Sequence, residues 1–332
     1  MNEGVSRFLT HAGIRVPLIC GAMYPCSNPE LVAAVSEAGG IGIIQPLSFV
    51  FAHKYDFRDA LKRIKALTGK PVGMNVITEK SSKIYQDRMS TYLDIALEEG
   101  VRFFVTSLGN PKWVIDRVRP YGGVVYHDVT ERKWALIALE AGVDGLIAVN
   151  ARAGGHAGPK TPEAVLAELG DLGVPVLCAG GIGSPEDFRH ALDMGYAGVQ
   201  MGTRFIATPE CTAHADYKQA IVNAKAEDIV LSEKITGVPV AVIKTPYIER
   251  VGTKAGPIAR MLLSHRKFKH WMRMIYSLQA LFKLKNASKQ GMSYGDYFQA
   301  GKSVDGIHGI ESAGAIVARF EAALTPEPAV QH

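Results

Sequence analysis

Residues 139–149 read Leu139-Glu140-Ala141-Gly142-Val143-Asp144-Gly145-Leu146-Ile147-Ala148-Val149, and this stretch decides the fold. A helical segment stops at Gly142, since glycine takes the left-handed conformation of a helix C-cap without strain. An apolar run, Leu146–Val149, follows almost at once. The phrase recurs at Ser36-Glu37-Ala38-Gly39-Gly40, Leu97-Glu98-Glu99-Gly100-Val101 and Leu192-Asp193-Met194-Gly195-Tyr196. Each copy joins a helix end to a strand start, so helix and strand alternate in βα units around a parallel sheet.

Working outward gives eight candidate strands: Leu18–Cys20, Ile41–Ile44, Val72–Val76, Arg102–Val105, Val124–Tyr126, Leu146–Val149, Val176–Ala179 and Val199–Met201. Most are unbroken apolar runs, as expected of strands buried on both faces. Asn28-Pro29, Thr161-Pro162 and Ser184-Pro185 each set an N-cap residue before a proline at the first helical position. Eight units in about 200 residues predict a closed (β/α)₈ TIM barrel. An open doubly wound sheet is the alternative, with fewer strands and a different glycine fingerprint. The expected organisation is a barrel over 1–208, a mostly helical insertion or lid over 209–305, and a C-terminal helix within 306–332 that returns to the barrel.

Hydrophobic residues at 47% and charged residues at 21% exclude a disordered chain. No apolar run reaches the ~18 to 20 residues of a membrane span, and the start lacks the pattern of a secretory signal, so a cytoplasmic enzyme is expected. Cys20, Cys26, Cys178 and Cys211 form no C-x-x-C pair, and Cys20 and Cys178 fall in apolar runs. Buried thiols are expected, with no disulfide and no metal site. The net charge of +5 is concentrated between Lys254 and Lys289, where Arg260, Arg266, Lys267, Lys269 and Arg273 alternate with Met261, Leu262, Phe268, Trp271 and Ile275. That pattern reads as an amphipathic lid, or as a surface for an acidic partner or an anionic membrane. No nucleic-acid-binding module is present. A small-molecule substrate is expected, and oligomerisation is left open.

Barrels of this kind place chemistry at the C-terminal ends of their strands and a phosphate after strands 7 and 8. Ala179-Gly180-Gly181-Ile182-Gly183-Ser184-Pro185 lets the backbone approach an anion and runs into a helix N-terminus. Gly202-Thr203-Arg204-Phe205 follows strand 8 and offers amides and the Thr203 hydroxyl. After strand 6, small residues and glycines surround His156 in Asn150-Ala151-Arg152-Ala153-Gly154-Gly155-His156-Ala157-Gly158, and histidine is the side chain most easily poised as acid or base. Gly21-Ala22-Met23-Tyr24-Pro25-Cys26, after strand 1, suits backbone contact to a planar ring. Asn75, inside Gly73-Met74-Asn75-Val76, is a buried amide that needs a partner, which a ligand can supply. His127-Asp128, after strand 5, can pair with each other, face a ligand or be structural.

Together the Gly21-Ala22-Met23 turn, Gly73-Met74-Asn75, Gly154-Gly155-His156-Ala157-Gly158, Ala179-Gly180-Gly181-Ile182 and Met201-Gly202-Thr203-Arg204-Phe205 resemble the nitronate monooxygenase (2-nitropropane dioxygenase) family. The resemblance implies a non-covalent FMN at the barrel mouth, with its phosphate between Gly180-Gly181 and Gly202-Thr203. It implies that Gly21, Ala22, Met23 and Asn75 meet the isoalloxazine ring or ribityl chain, with Asp128, Gly155 and Ala179 completing the cofactor site. His156 matches the family's catalytic histidine. Many relatives carry a lysine after strand 5 where this chain has Asp128, and an acid does not stabilise a reduced, anionic flavin as a cation does. The implied reaction oxidises an alkyl nitronate with O2 to a carbonyl compound and nitrite. One alternative is an FMN-dependent reductase of the enoyl-acyl-carrier-protein or quinone type, using NAD(P)H as reductant. The other is a non-redox isomerase or synthase on a phosphorylated metabolite.

Overall fold

A computed structural model of the chain describes residues 2–78, 83–234, 238–254, 284–289 and 297–325. Eight parallel strands close in sequence order: β1 (Leu18–Cys20), β2 (Ile41–Ile44), β3 (Gly73–Ile77), β4 (Phe103–Ser107), β5 (Val124–Val129), β6 (Gly145–Val149), β7 (Val176–Ala179) and β8 (Gly198–Met201). The seam is in register, with Leu18 opposite Val199 and Cys20 opposite Met201, so the sheet has no free edge and is not an open doubly wound one. The four helix-ending glycines, Gly39, Gly100, Gly142 and Gly195, all have positive φ, as their sequence phrase requires.

Alternation along each strand sorts side chains to two faces. Ile19, Ile41, Ile43, Phe103, Val105, Tyr126, Ile147, Leu177 and Ala179 fill the lumen. Leu18, Met74, Val76, Phe104, Val125, Leu146, Ala148, Cys178 and Val199 face the helical layer. The helix Glu3–Ala12 presents Phe8 and Ala12 to the lumen residues and closes the N-terminal end. There Phe8 meets Tyr126 at 5.6 Å between ring centroids, and the Tyr126 hydroxyl lies 3.1 Å from His11 Nδ1. All four cysteines are free and buried.

Strand limits differ from the hydropathy reading at the ends that matter most. β5 continues to Val129, so His127 and Asp128 belong to the strand rather than to the loop after it. Backbone pairing decides this: His127 lies opposite Thr106 and Leu146, and Asp128 opposite Ile147. Hydropathy alone ends a strand where polar side chains begin, but a ladder carries them further.

Beyond the barrel, residues 209–300 are not only helices and loops. β9 (Ile229–Ser232) and β10 (Val240–Ile243) form an antiparallel hairpin. An apolar run of four residues such as Val240–Ile243 carries no periodicity that separates strand from helix. Most of the basic 254–289 segment lies outside the described residues; 284–289 is helical. The C-terminal helix Ala313–Ala322 packs against the barrel's outer helices. Phe320 packs on Phe188, and the Glu210 carboxylate accepts the Ala313 N–H at 3.1 Å. Among the described residues no helix is long and apolar enough to cross a membrane.

Residues 297–306 form a strap across the mouth. Lys302 N–H donates to the Arg152 carbonyl at 2.9 Å, Gly301 N–H to Thr203 Oγ1 at 3.0 Å, and Ile243 N–H to the Phe298 carbonyl at 2.9 Å. Gly301 sits so close to the β6 loop that a Cβ on it would lie 2.6 Å from the Gly154 nitrogen and 2.7 Å from the Arg152 oxygen. Gly301→Val is expected to lower unfolding free energy by about 2–4 kcal/mol, because backbone and not a flexible side chain blocks the added atoms. Urea denaturation measures this, and an unchanged midpoint would contradict the packing.

Candidate active site at the barrel mouth

Four polar side chains gather at the C-terminal end of the lumen. Asn75 shares the face of Gly73, Asp128 that of Tyr126, and Gln200 that of Gly198, while Gln45 directly follows β2. Below them the lumen is apolar apart from the Tyr126 phenol. Gln200 hydrogen-bonds the Asp128 carboxyl. β5 and β8 are not neighbours in the barrel, so this bond spans the lumen. The second carboxyl oxygen, Asp128 Oδ1, is fully enclosed and has no hydrogen-bond partner among the described residues. Burial pushes the Asp128 carboxyl up to about 7, against the lowering effect of the Gln200 bond. Gln45 uses its carbonyl oxygen to accept the Leu47 N–H at 2.9 Å. Asn75 is buried, consistent with an amide held for a ligand.

His127 takes the opposite face of β5, so it does not pair with Asp128. Its Nδ1 lies 2.8 Å from the Thr106 hydroxyl, which itself donates to the Tyr126 carbonyl at 3.1 Å. Nδ1–H is therefore the donor, and burial holds the ring neutral by lowering its pKa to about 4. His127 is structural.

The β6 loop is pinned from two sides. Asn150 Oδ1 accepts the Arg152 N–H at 2.8 Å, and its amide donates to the Gly180 carbonyl at 3.0 Å, tying the β6 loop to the β7 loop. The Gly155 carbonyl accepts the Ala241 N–H of β10 at 2.7 Å. Directly after the second anchor, His156 keeps an exposed side chain, while desolvation by surrounding protein lowers its pKa below the ordinary value.

Gly180 and Gly181 have φ of 120° and 86°, which other residues rarely adopt. Among the described residues, the N–H groups of Gly181 and Ile182 have no partner. The helix Pro185–Met194 contributes less than its position suggests. The N–H groups of Gly183 and Ser184 already donate to its own Asp187 at 2.9 and 3.0 Å. Among the described residues, the N–H groups left over here are those of the diglycine turn, together with the leading ones of the short helix Thr203–Ile206. Thr203 Oγ1 accepts from Gly301 and keeps its proton to donate. Arg204 is fully buried against Glu311 and the Gly309 carbonyl and belongs to the scaffold.

In the β1 loop Gly21 N–H donates to the Met201 carbonyl at 2.9 Å, and Met23 N–H to Ser27 Oγ at 2.9 Å. Gly21 and Met23 thus offer shape rather than donors, while Ala22 packs at the edge of the lumen cluster. The Met23 sulfur lies 3.3 Å from where a Cβ on Gly202 would stand, so the β1 and β8 loops meet. Ala179, the last residue of β7, faces the lumen. Sequence reading singled out neither Gln200 nor Gln45. The signal for Gln200 was one polar residue inside the apolar run Gly198-Val199-Gln200-Met201. Nothing marked the strap, whose role is set by contacts about 100 residues away in sequence.

A closed parallel barrel with its polar side chains gathered at the C-terminal mouth defines a TIM-barrel enzyme. The chain belongs to the nitronate monooxygenase family, which it matches over residues 6–320, and it is a flavin-dependent oxidoreductase. It is 30% identical to a nitronate monooxygenase of Pseudomonas aeruginosa, covering 70% of this chain and 77% of that one. It is 29% identical to the (3aS,4S,5R,7aS)-5-hydroxy-7a-methyl-1-oxo-octahydro-1H-indene-4-carboxyl-CoA dehydrogenase of Mycobacterium tuberculosis, over 80% of this chain and 74% of that one. Among solved structures it resembles FabK from Thermotoga maritima, with a TM-score of 0.78, 28% identity and 96% of each chain covered.

The Asp128 environment makes a stability prediction. A carboxyl whose folded pKa is raised contributes stability that is complete below the unfolded pKa of about 3.9 and is lost as pH rises through the folded value. Here that value is about 7. Asp128→Asn is therefore expected to stabilise the protein by roughly 2 kcal/mol at pH 8 and to change little at pH 4. Thermal unfolding at the two pH values checks this. Equal effects at both would deny the buried carboxyl.

Proposed function

We propose that the protein is a cytoplasmic FMN-dependent nitronate monooxygenase that converts alkyl nitronates and O2 to carbonyl compounds and nitrite. In this reading residues 1–208 form the cofactor-binding barrel, 209–305 cover the mouth, and 306–332 fasten the chain back to the barrel. The observation that carries it is His156, held on a doubly anchored loop, accessible, and desolvated enough to favour its neutral form. A neutral imidazole has one N–H donor and one acceptor lone pair. Its donor can orient an anionic nitronate oxygen, and its lone pair can take the proton of a neutral nitroalkane.

The remaining residues fit FMN by their chemistry. The free N–H groups of Gly181 and Ile182, with those of Thr203 and Arg204, suit a phosphate. The buried Asn75 amide has hydrogen-bonding capacity for a ring edge, and the half-buried Asp128 carboxyl stands at the same end of the lumen. Gly21, Ala22, Met23, Gly155, Ala179, Gly180 and Gly202 shape the walls. When bound, FMN supplies the electron transfer and the reaction with O2. The apolar lumen beneath keeps water from that side of the ring.

A second reading is favoured by the relatives named as carboxyl-CoA dehydrogenases. In it NAD(P)H, or an acyl thioester, is the redox partner of the flavin, and His156 donates or accepts the substrate proton. Anaerobic titration of the purified protein separates the two. Flavin bleached by a nitronate and indifferent to NAD(P)H supports the first reading; rapid bleaching by NAD(P)H supports the second. A protein with no flavin overturns both.

Two further outcomes are expected. FMN should bind the apoprotein at least about 100-fold more tightly than riboflavin, since two charge-assisted hydrogen bonds to a phosphate contribute about 3 kcal/mol or more. Equal affinities in a fluorescence titration would refute the phosphate cradle. His156→Asn should keep FMN while lowering kcat about 100-fold or more; full activity would remove His156 from the mechanism.

A further inference from the structure

The floor of the mouth holds a titratable group that the proposed reaction does not use. Asp128 projects into the lumen from β5 and is bonded by Gln200 from β8. Its other oxygen is sealed from solvent and has no protein partner among the described residues. Carboxylate oxygens in such a place need a donor or a proton. The groups facing it from the surrounding strands are uncharged: Val105 on β4, Ile147 and Val149 on β6, Gln200 on β8, Asn75 on β3 and Gln45 after β2. On its own strand, Tyr126 directs its hydroxyl away, to His11, and His127 lies on the outer face. On the β6 loop, His156 has a lowered pKa that leaves it neutral at alkaline pH. Among the described residues, the side chains named here supply no fixed cation at the floor to meet a negative charge.

We propose that Asp128, braced across the barrel by Gln200, takes up the proton that balances the negative charge a flavin ring at the mouth acquires on reduction. The inference rests on the FMN reading above. Two electrons and one proton enter the ring, leaving it with one negative charge. That charge raises the proton affinity of a neighbouring carboxylate, which takes a second proton from solvent and becomes a neutral acid. The sum is two electrons and two protons, with no change in net charge. Where a lysine would neutralise the ring with a permanent charge, this chain does so with a movable proton. Binding of the oxidised cofactor then meets no buried cation.

The dependence on pH has a distinctive sign. Below about 7 Asp128 already holds its proton in the oxidised protein, and reduction takes up one. Above it the carboxylate is ionised, and reduction takes up two. A free flavin does the reverse, taking up fewer protons as pH rises.

The experiment is an anaerobic electrochemical reduction of the FMN-loaded protein in weak buffer, in a divided cell with methyl viologen as mediator, whose own couple moves no proton, reading protons consumed per two electrons from a pH indicator. Wild type is expected to go from one proton at mildly acid pH to two at alkaline pH. Asp128→Asn, which keeps the shape and can still bond Gln200, should lose the alkaline rise. Gln200→Leu removes the bond that stabilises the carboxylate and should move the rise to higher pH. A wild type that follows the free-flavin trend, or an Asp128→Asn protein that keeps the rise, overturns the proposal. If Asp128→Asn fails to hold FMN, the Gln200→Leu shift decides: a rise at the wild-type pH overturns it. Wild-type protein that binds no FMN defeats the FMN reading itself, an outcome visible in the absorbance before any reductant is added.

Discussion

The constraint on which the structure depends is closure of the sheet between β1 and β8. Once Leu18 pairs with Val199 and Cys20 with Met201, there is no edge strand, and every inward side chain shares one lumen. Apolar side chains fill that space to the level of Tyr126 and Val105. Above it, polar groups from strands far apart in sequence converge because the lumen is narrow. The bond between Asp128 and Gln200 follows from this geometry: two residues 72 positions apart meet because a barrel brings β5 and β8 face to face.

The barrel was legible because its signals are local and repeated. Gly39, Gly100, Gly142 and Gly195 announce helix ends, and the apolar runs after them announce strands buried on both faces. The loops bearing His156, Gly180-Gly181 and Gly202-Thr203 were legible for a related reason, since small residues cluster where backbone must come close to something. Other features depend on pairing rather than composition. His127 and Asp128 looked like a loop pair, but ladder contacts with β4 and β6 extend the strand and send them to opposite faces. The β9–β10 hairpin and the strap over 297–306 carry no periodic pattern of their own. Their shape comes from what they touch: Gly155, Gln299, Arg152 and Thr203.

Electrostatics at the mouth reconcile an apparent mismatch. An acid at the end of β5 looks wrong for a site that must accept negative charge. Half-buried at the end of the lumen and raised to about 7, the same residue can exchange a proton rather than hold a fixed charge. His127, one residue earlier, shows how the two faces of a strand divide the work. It is kept neutral by burial, bonded to Thr106, and holds β4 to β5 without entering the chemistry.

The strap has a consequence for how the enzyme comes into being. The loops after β6, β7 and β8 lean on residues 300–306, which lie about 100 or more positions downstream of each. A ribosome delivers those residues near the end of synthesis, when the barrel strands have long emerged. The barrel can therefore form early, while the mouth stays unbraced until translation is almost done. The mouth is then completed late, and a chain broken off before residue 300 would lack the strap that braces its loops.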